Sequence, residues 1–230
     1  MALTPERGFP GPLALLGRAG VLPFTERAHL AVRLWSAPWN RVVGAFRLDG
    51  AALLDVGCGP GLLAHLLEGR GYAGAYLGVD PDEMKVTRAR AWVGESPRRA
   101  FRAEAIERVV ERGFDQAAIV DVLYLVAPTD RAALVAEVAS RLAPGGRLVA
   151  LTSGGGPRWK RAVDQIQERL AVAVLGFTRG EVVAPCDGAE VASLFSQAGL
   201  LDVRVEDAGA GHVHGFELVS GRRGEPATVT

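Results

Sequence analysis

Five residues around one short stretch could do chemistry together. Gly57, Gly59 and Gly61 stand in alternate positions, Asp55 lies two residues ahead of them, and Asp80 follows Gly57 by 23 residues. Glycines after an apolar run let backbone N–H groups approach a ligand closely and permit positive φ. An acid at the end of the next apolar run can take both hydroxyls of a ribose. Loop and acid together describe a site for an adenosine-type cofactor at the carboxyl ends of parallel strands. The nicotinamide fingerprint needs G-x-G-x-x-G. Here the third glycine comes one place early, and Leu62 stands where glycine is required. Asp55 would repel phosphates and suits a cationic ligand, such as the ammonium end of a methionine moiety.

Other chemistry-bearing residues are fewer. His212 and His214 are two apart, hence on one face of a strand. Either can serve as a general base or stand as an exposed turn histidine. They lack a third partner for a metal site, so no metal is expected. His29 falls on a helix face and His65 just inside a core helix, both structural readings. Cys186 follows Pro185, a pair that can mark a cytosine C5 nucleophile, but its position after the fifth strand argues against that. Cys58 is a small loop residue.

The elements that must position these groups alternate. Residues 1–23 are rich in Gly and Pro. Helical spacing over 25–35, with Thr25 as N-cap, and a short helix over 38–46 predict a helical cap in residues 1–50. Strands are expected at 52–56, 75–79, 97–102, 116–120 and 147–151. Helices are expected at 62–68, 82–92, 105–112 and 131–142, and a sharp turn at Pro144, Gly145 and Gly146. Strand–helix repetition of this kind implies a parallel sheet covered on both faces.

Beyond residue 151 the pattern changes. Trp159, Val163, Ile166, Leu170, Val174 and Phe177 are spaced as one long amphipathic helix over 157–177. That helix reads either as a core element or as a lid over a lipophilic acceptor. A helix over 188–198, stopped by Gly199, precedes an antiparallel hairpin of strands at 200–206 and 213–219.

LLDVGCGPG, YLGVDPDEM, FDQAAIVDVLYLV and RLAPGGRLVA, in that order, resemble the class I S-adenosylmethionine-dependent methyltransferase family. The resemblance covers residues 53–151 and the terminal hairpin. It implies a Rossmann-like α/β fold: a doubly wound, mostly parallel seven-stranded sheet with an antiparallel last strand. The methyltransferase domain would occupy 51–222, with the long helix inserted at 157–177 and a tail at 223–230. S-adenosylmethionine is the implied cofactor. Asp55, Gly57, Cys58, Gly59 and Gly61 would line its methionine and ribose side, and Asp80 its ribose hydroxyls. Pro81 and Met84 would lie near the adenine, with Glu104 and Ala105 at its edge; Glu104 departs from the Asp more often found there. Asp121 and Val122 would flank the amino group and the methyl. Tyr124 is either a substrate-side residue or a rim aromatic. It stands with His212 and His214 as the catalytic candidates.

Composition bounds the partners. The 230 residues are 49% hydrophobic, with 26 basic and 26 acidic residues and two cysteines. A net charge of zero gives no reason to expect a nucleic-acid partner. Two cysteines suit a reducing compartment, and no apolar stretch approaches the roughly 20 residues of a membrane span. The expectation is a cytoplasmic monomer or homodimer with no membrane insertion. It would methylate an O, N or C nucleophile of a small metabolite, lipophilic if the long helix is a lid. The rivals are an RNA or protein methyltransferase, a non-catalytic cofactor-binding subunit and, third, a nicotinamide oxidoreductase. The first would need a basic stripe drawn from Arg98, Arg99, Arg102, Arg158, Lys160 and Arg161.

Overall fold

The first two strands, Leu53–Val56 and Tyr76–Val79, are short and buried at every position, the mark of central strands in a parallel sheet covered by helices. A computed structural model describes residues 20, 22–153, 184–210 and 215–225 of the chain. The chain divides into two compact units, Met1–Val110 and Glu111–Thr230. Seven strands form the sheet in the order β3-β2-β1-β4-β5-β7-β6.

In the first unit, α1 (Phe24–Ser36) and α2 (Trp39–Gly44) make the expected pair of N-terminal helices. Thr25 is not the N-cap. Pro23 holds that position, and no side chain caps the helix. Proline's fixed φ suits a helix start, so the helix begins two residues earlier than an N-cap at Thr25 would allow. The turn between the helices is closed by Trp39, whose Nε1 donates to the Arg33 carbonyl at 2.9 Å. β1 (Leu53–Val56), β2 (Tyr76–Val79) and β3 (Arg99–Arg102) pair in parallel, with Asp55 opposite Gly78. α3 (Leu62–Gly69) and α4 (Glu83–Trp92) are the intervening helices. Leu53, Leu54, Leu66 and Leu67 are essentially inaccessible. Each such side chain contributes about 1.5–3 kcal/mol relative to exposure.

The helix expected over 105–112 shrinks to one 3-10 turn, Ile106–Arg108. Val109 is fully buried and extended, which pulls the backbone out of helical geometry after three residues.

In the second unit, β4 (Phe114–Val120) and β5 (Leu142–Ser153) pair in parallel, joined by α5 (Pro128–Arg141). The turn expected at 144–146 is instead a bulge inside β5. Leu142 pairs with Phe114, and the next pair is Arg147 with Gln116. Gly145 has φ +72°, and a Cβ on Gly146 would lie 2.8–2.9 Å from the carbonyl oxygens of Ala143 and Phe114. α6 (Gly188–Gln197) leads through Gly199, φ +77°, into β6 (Leu200–Asp207). β7 (Phe216–Arg223) runs antiparallel to both β5 and β6, as expected for the last strand. The long helix expected over 157–177 lies outside the described residues. No helix among them is long and apolar enough to cross a membrane.

Candidate functional site

The first unit gathers the glycine loop and both acids. Val79 Oxygen accepts the N–H groups of Gly57 and Cys58 at 2.8 and 3.0 Å, so the loop is sewn to the end of β2. Gly57, Gly59 and Gly61 all have positive φ, 73°, 52° and 83°. They differ in surroundings. A Cβ on Gly59 would meet nothing within 4 Å, so its backbone faces open space. A Cβ on Gly61 would press on Val93, Ala89 and Phe101 at 3.0–3.3 Å. Gly61 therefore sets how closely α3 packs, whereas Gly59 leaves an approach open.

Asp80 ends β2 and is 6% exposed. Its Oδ2 accepts the Gly59 N–H at 3.0 Å and its Oδ1 the Asp82 N–H at 2.9 Å. Asp82 in turn caps α4 by accepting from the N–H groups of Met84 and Lys85. One carboxylate thus fixes the glycine loop and the start of α4 together. Each of its oxygens retains a second lone pair able to accept a hydroxyl.

Asp55 is buried in β1, and Tyr76 donates its phenolic hydrogen to Oδ2. Burial pushes its carboxyl up to about 7, against the hydrogen bond from Tyr76, which lowers it; the nearby Asp80 charge raises it further. The Tyr76 hydroxyl is itself pushed upward, first by burial and then by Asp55, so it remains a donor. Cys58 is buried between the two acids, and burial with both charges drives its thiol far up. It is no nucleophile. Its Cβ and Sγ would lie 3.0 Å from a Cβ on Gly78, and Phe101 Cδ1 would lie at 2.8 Å.

Pro81 and Met84 are exposed where α4 begins, Met84 at 61%. The Asp80 N–H donates to the Arg102 carbonyl at 3.2 Å, which places Glu104 and Ala105 just past the neighbouring strand end. Glu104 forms an ion pair with Arg102 at 3.5 Å. His65 is buried and stacked on Trp92, ring centroids 4.6 Å apart, a packing role.

The second unit carries Asp121, Val122 and Tyr124 on the turn that leaves β4. Asp121 has φ +55°, an uncommon conformation for a residue with a Cβ. Its N–H donates to the Leu151 carbonyl at 3.3 Å. Val122 begins a 3-10 turn, Leu123–Leu125, in which Tyr124 is half-buried. The Tyr124 carbonyl accepts the Ala184 N–H at 3.0 Å. His212 and His214 lie outside the described residues, and the side chain of His29 is likewise undescribed. Cys186 is fully buried, and burial foremost pushes its thiol up to about 12. Among the described residues, no three His, Cys, Asp or Glu side chains group to hold a metal ion.

Two residues were not anticipated. Tyr76 had no motif to mark it, since its partner depends on strand register. Arg131 is 1% exposed, and it falls in the buried stripe of α5 with Val135, Val138 and Ala139. A basic residue at a core position of the helical repeat was the available signal.

The surroundings fit an adenosine-type cofactor with a cationic end. Two buried carboxylates flank the loop, an open approach lies at Gly59, and Leu62 stands 5% exposed where a dinucleotide loop needs glycine.

Residues 53–146 match a methyltransferase-domain family. A ubiquinone biosynthesis O-methyltransferase of Xylella fastidiosa is 36% identical over 108 residues, 46% of this chain and 43% of that protein. The matched stretch therefore spans less than half of that relative. Human N-acetylserotonin methyltransferase, solved in complex with SAM, superposes with TM-score 0.65 at 17% identity, over 93% of this chain and 56% of that one. The S-adenosylmethionine-dependent methyltransferase SibL, solved in its apo form, gives TM-score 0.70 at 20% identity, over 91% and 62%. At such identities the likeness shows a shared fold.

Proposed function

We propose that the protein transfers a methyl group from S-adenosylmethionine to an O, N or C nucleophile of a small metabolite, a reading supported by the match of residues 53–146 to a methyltransferase-domain family and by the order of the seven strands. The observation that carries this reading is the Asp80 carboxylate, buried at the end of β2 and bonded to Gly59 of the glycine loop. When bound, the cofactor supplies an electrophilic methyl on a sulfonium, with a neutral thioether as leaving group.

The chain's own residues do the rest. Asp80 accepts the two ribose hydroxyls with its remaining lone pairs. Asp55 sets its carboxyl group, ionised above about pH 7, toward the positive end of the ligand, and Gly57, Cys58, Gly59 and Gly61 shape the wall beside it. Pro81 and Met84 cover one side of the adenine, with Glu104 and Ala105 at its edge. Asp121 and Val122 border the amino group and the methyl. Tyr124 faces the acceptor, and His212 or His214 takes the acceptor proton when the acceptor is a hydroxyl or an acidic carbon. Holding the acceptor in line with the methyl is the main catalytic contribution.

The O-methyltransferase name of the Xylella relative supports an oxygen acceptor on a small lipophilic compound. Of the basic residues that the RNA and protein reading needs, Arg158, Lys160 and Arg161 lie outside the described residues, and the other three are engaged within the fold. Arg98 donates to the Ala73 carbonyl, Arg99 to those of Gly94 and Val93 and pairs with Glu68, and Arg102 pairs with Glu104.

The test is release of S-adenosylhomocysteine on incubation with S-adenosylmethionine and a panel of phenols, catechols, amines and activated-methylene compounds. Turnover of one class, lowered in Tyr124→Phe or His214→Ala with cofactor affinity kept, is the expected result. Tight cofactor binding with no turnover of any class would favour the non-catalytic subunit.

A further inference from the structure

Arg131, itself buried, stands at the centre of a polar cluster in the second unit. Its Nε donates to the carbonyls of Leu123 and Val126 at 2.9 and 3.1 Å. These two carbonyls flank the turn that carries Tyr124. Its Nη1 donates to the Pro185 carbonyl at 3.3 Å and to Glu190 Oε1 at 2.6 Å, and its Nη2 to the Ala184 carbonyl. One guanidinium therefore joins the turn after β4 to the segment that enters α6. The Ala184 N–H closes the same junction on the Tyr124 carbonyl.

The cluster is built for position. A buried charge is costly, and an apolar side chain would fill the same stripe of α5 at least as stably. What an apolar side chain cannot do is hold four carbonyls from two separate segments at once. Glu190 also departs from its local role. Asp187 caps α6 by accepting the Glu190 N–H at 2.9 Å, but the Glu190 carboxylate is turned to Arg131.

We propose that Arg131 is a positioning residue that fixes the Tyr124 turn against the 184–190 segment and so sets the acceptor side of the methyl-transfer site. The inference rests on the function proposed above. Lysine cannot substitute, because one ammonium lacks the fork that reaches both segments at once.

The test compares Arg131→Lys with Glu137→Gln. Glu137 pairs with the buried Arg141 on the same helix, so its loss controls for general destabilisation. S-adenosylmethionine affinity, turnover of the best phenolic or catechol acceptor, and amide hydrogen exchange are measured for each. Arg131→Lys is expected to keep cofactor Kd within about threefold and to lower kcat at least tenfold. Exchange should rise at residues 123–126 and at Ala184 while β5 stays protected. Glu137→Gln should show neither effect. Equal loss of affinity and turnover in Arg131→Lys, or unchanged exchange at those residues, would overturn the assignment. If the wild-type chain binds no S-adenosylmethionine, the proposed function fails; exchange then decides the clamp alone, by the same criterion.

Discussion

Tyr76 donates its hydroxyl hydrogen to Asp55, and the two side chains are buried together in β2 and β1. The bond only partly offsets the burial that raises the Asp55 carboxyl from 3.8 to about 7. Between about pH 4 and pH 7 the folded chain keeps a proton that the unfolded chain has released. Stability from this group is therefore full below about pH 4, falls as pH rises to about 7, and is flat above. The rise corresponds to about 4 kcal/mol. Asp55→Asn lacks the titration, so its melting temperature should gain on the wild type as pH goes from 5 to 8. Thermal unfolding across that range checks it, and parallel curves would contradict the buried-acid assignment.

Asp80→Ala removes the carboxylate that accepts from Gly59 and Asp82. S-adenosylmethionine affinity should fall at least tenfold by titration calorimetry. Unchanged affinity would remove the ribose role from this residue.

Two glycines should respond oppositely to alanine. At Gly59 the space is open, and the cost is that of the left-handed backbone, about 1–2 kcal/mol. At Gly78 the new methyl would meet Phe101 and Cys58 at 2.8–3.0 Å, an overpacking of about 1–3 kcal/mol. Gly59→Ala should weaken cofactor binding more than its loss of stability explains. Gly78→Ala should lower the melting temperature first. Denaturant unfolding paired with calorimetry separates the two, and equal effects on binding would contradict the distinction.

Cys58 and Cys186 are both free and buried, with thiols raised by burial. The native chain should react slowly with a thiol reagent at pH 8, and both cysteines should react on unfolding. Rapid modification of either in the native state would contradict their burial.

The strand–helix order and the loop with its two acids were legible in sequence because apolar runs, glycines and caps are local signals. The helix expected over 82–92 illustrates this, found as Glu83–Trp92. What escaped was long-range. The bond from Tyr76 to Asp55 depends on β1 and β2 standing with Leu53 opposite Tyr76, a register no local pattern states. The bulge at 143–146 looked like a turn because Pro and Gly cluster there; pairing with Phe114 keeps the segment in β5. The 105–112 stretch carried helix-forming residues, but burial of Val109 overrode their propensity.

The central claim is that the glycine loop and its two acids bind S-adenosylmethionine. Calorimetric titration of the purified protein with S-adenosylmethionine, S-adenosylhomocysteine and NADH tests it most directly. The account predicts micromolar binding of the two sulfur ligands and none of NADH. Absence of binding by both sulfur ligands would contradict it.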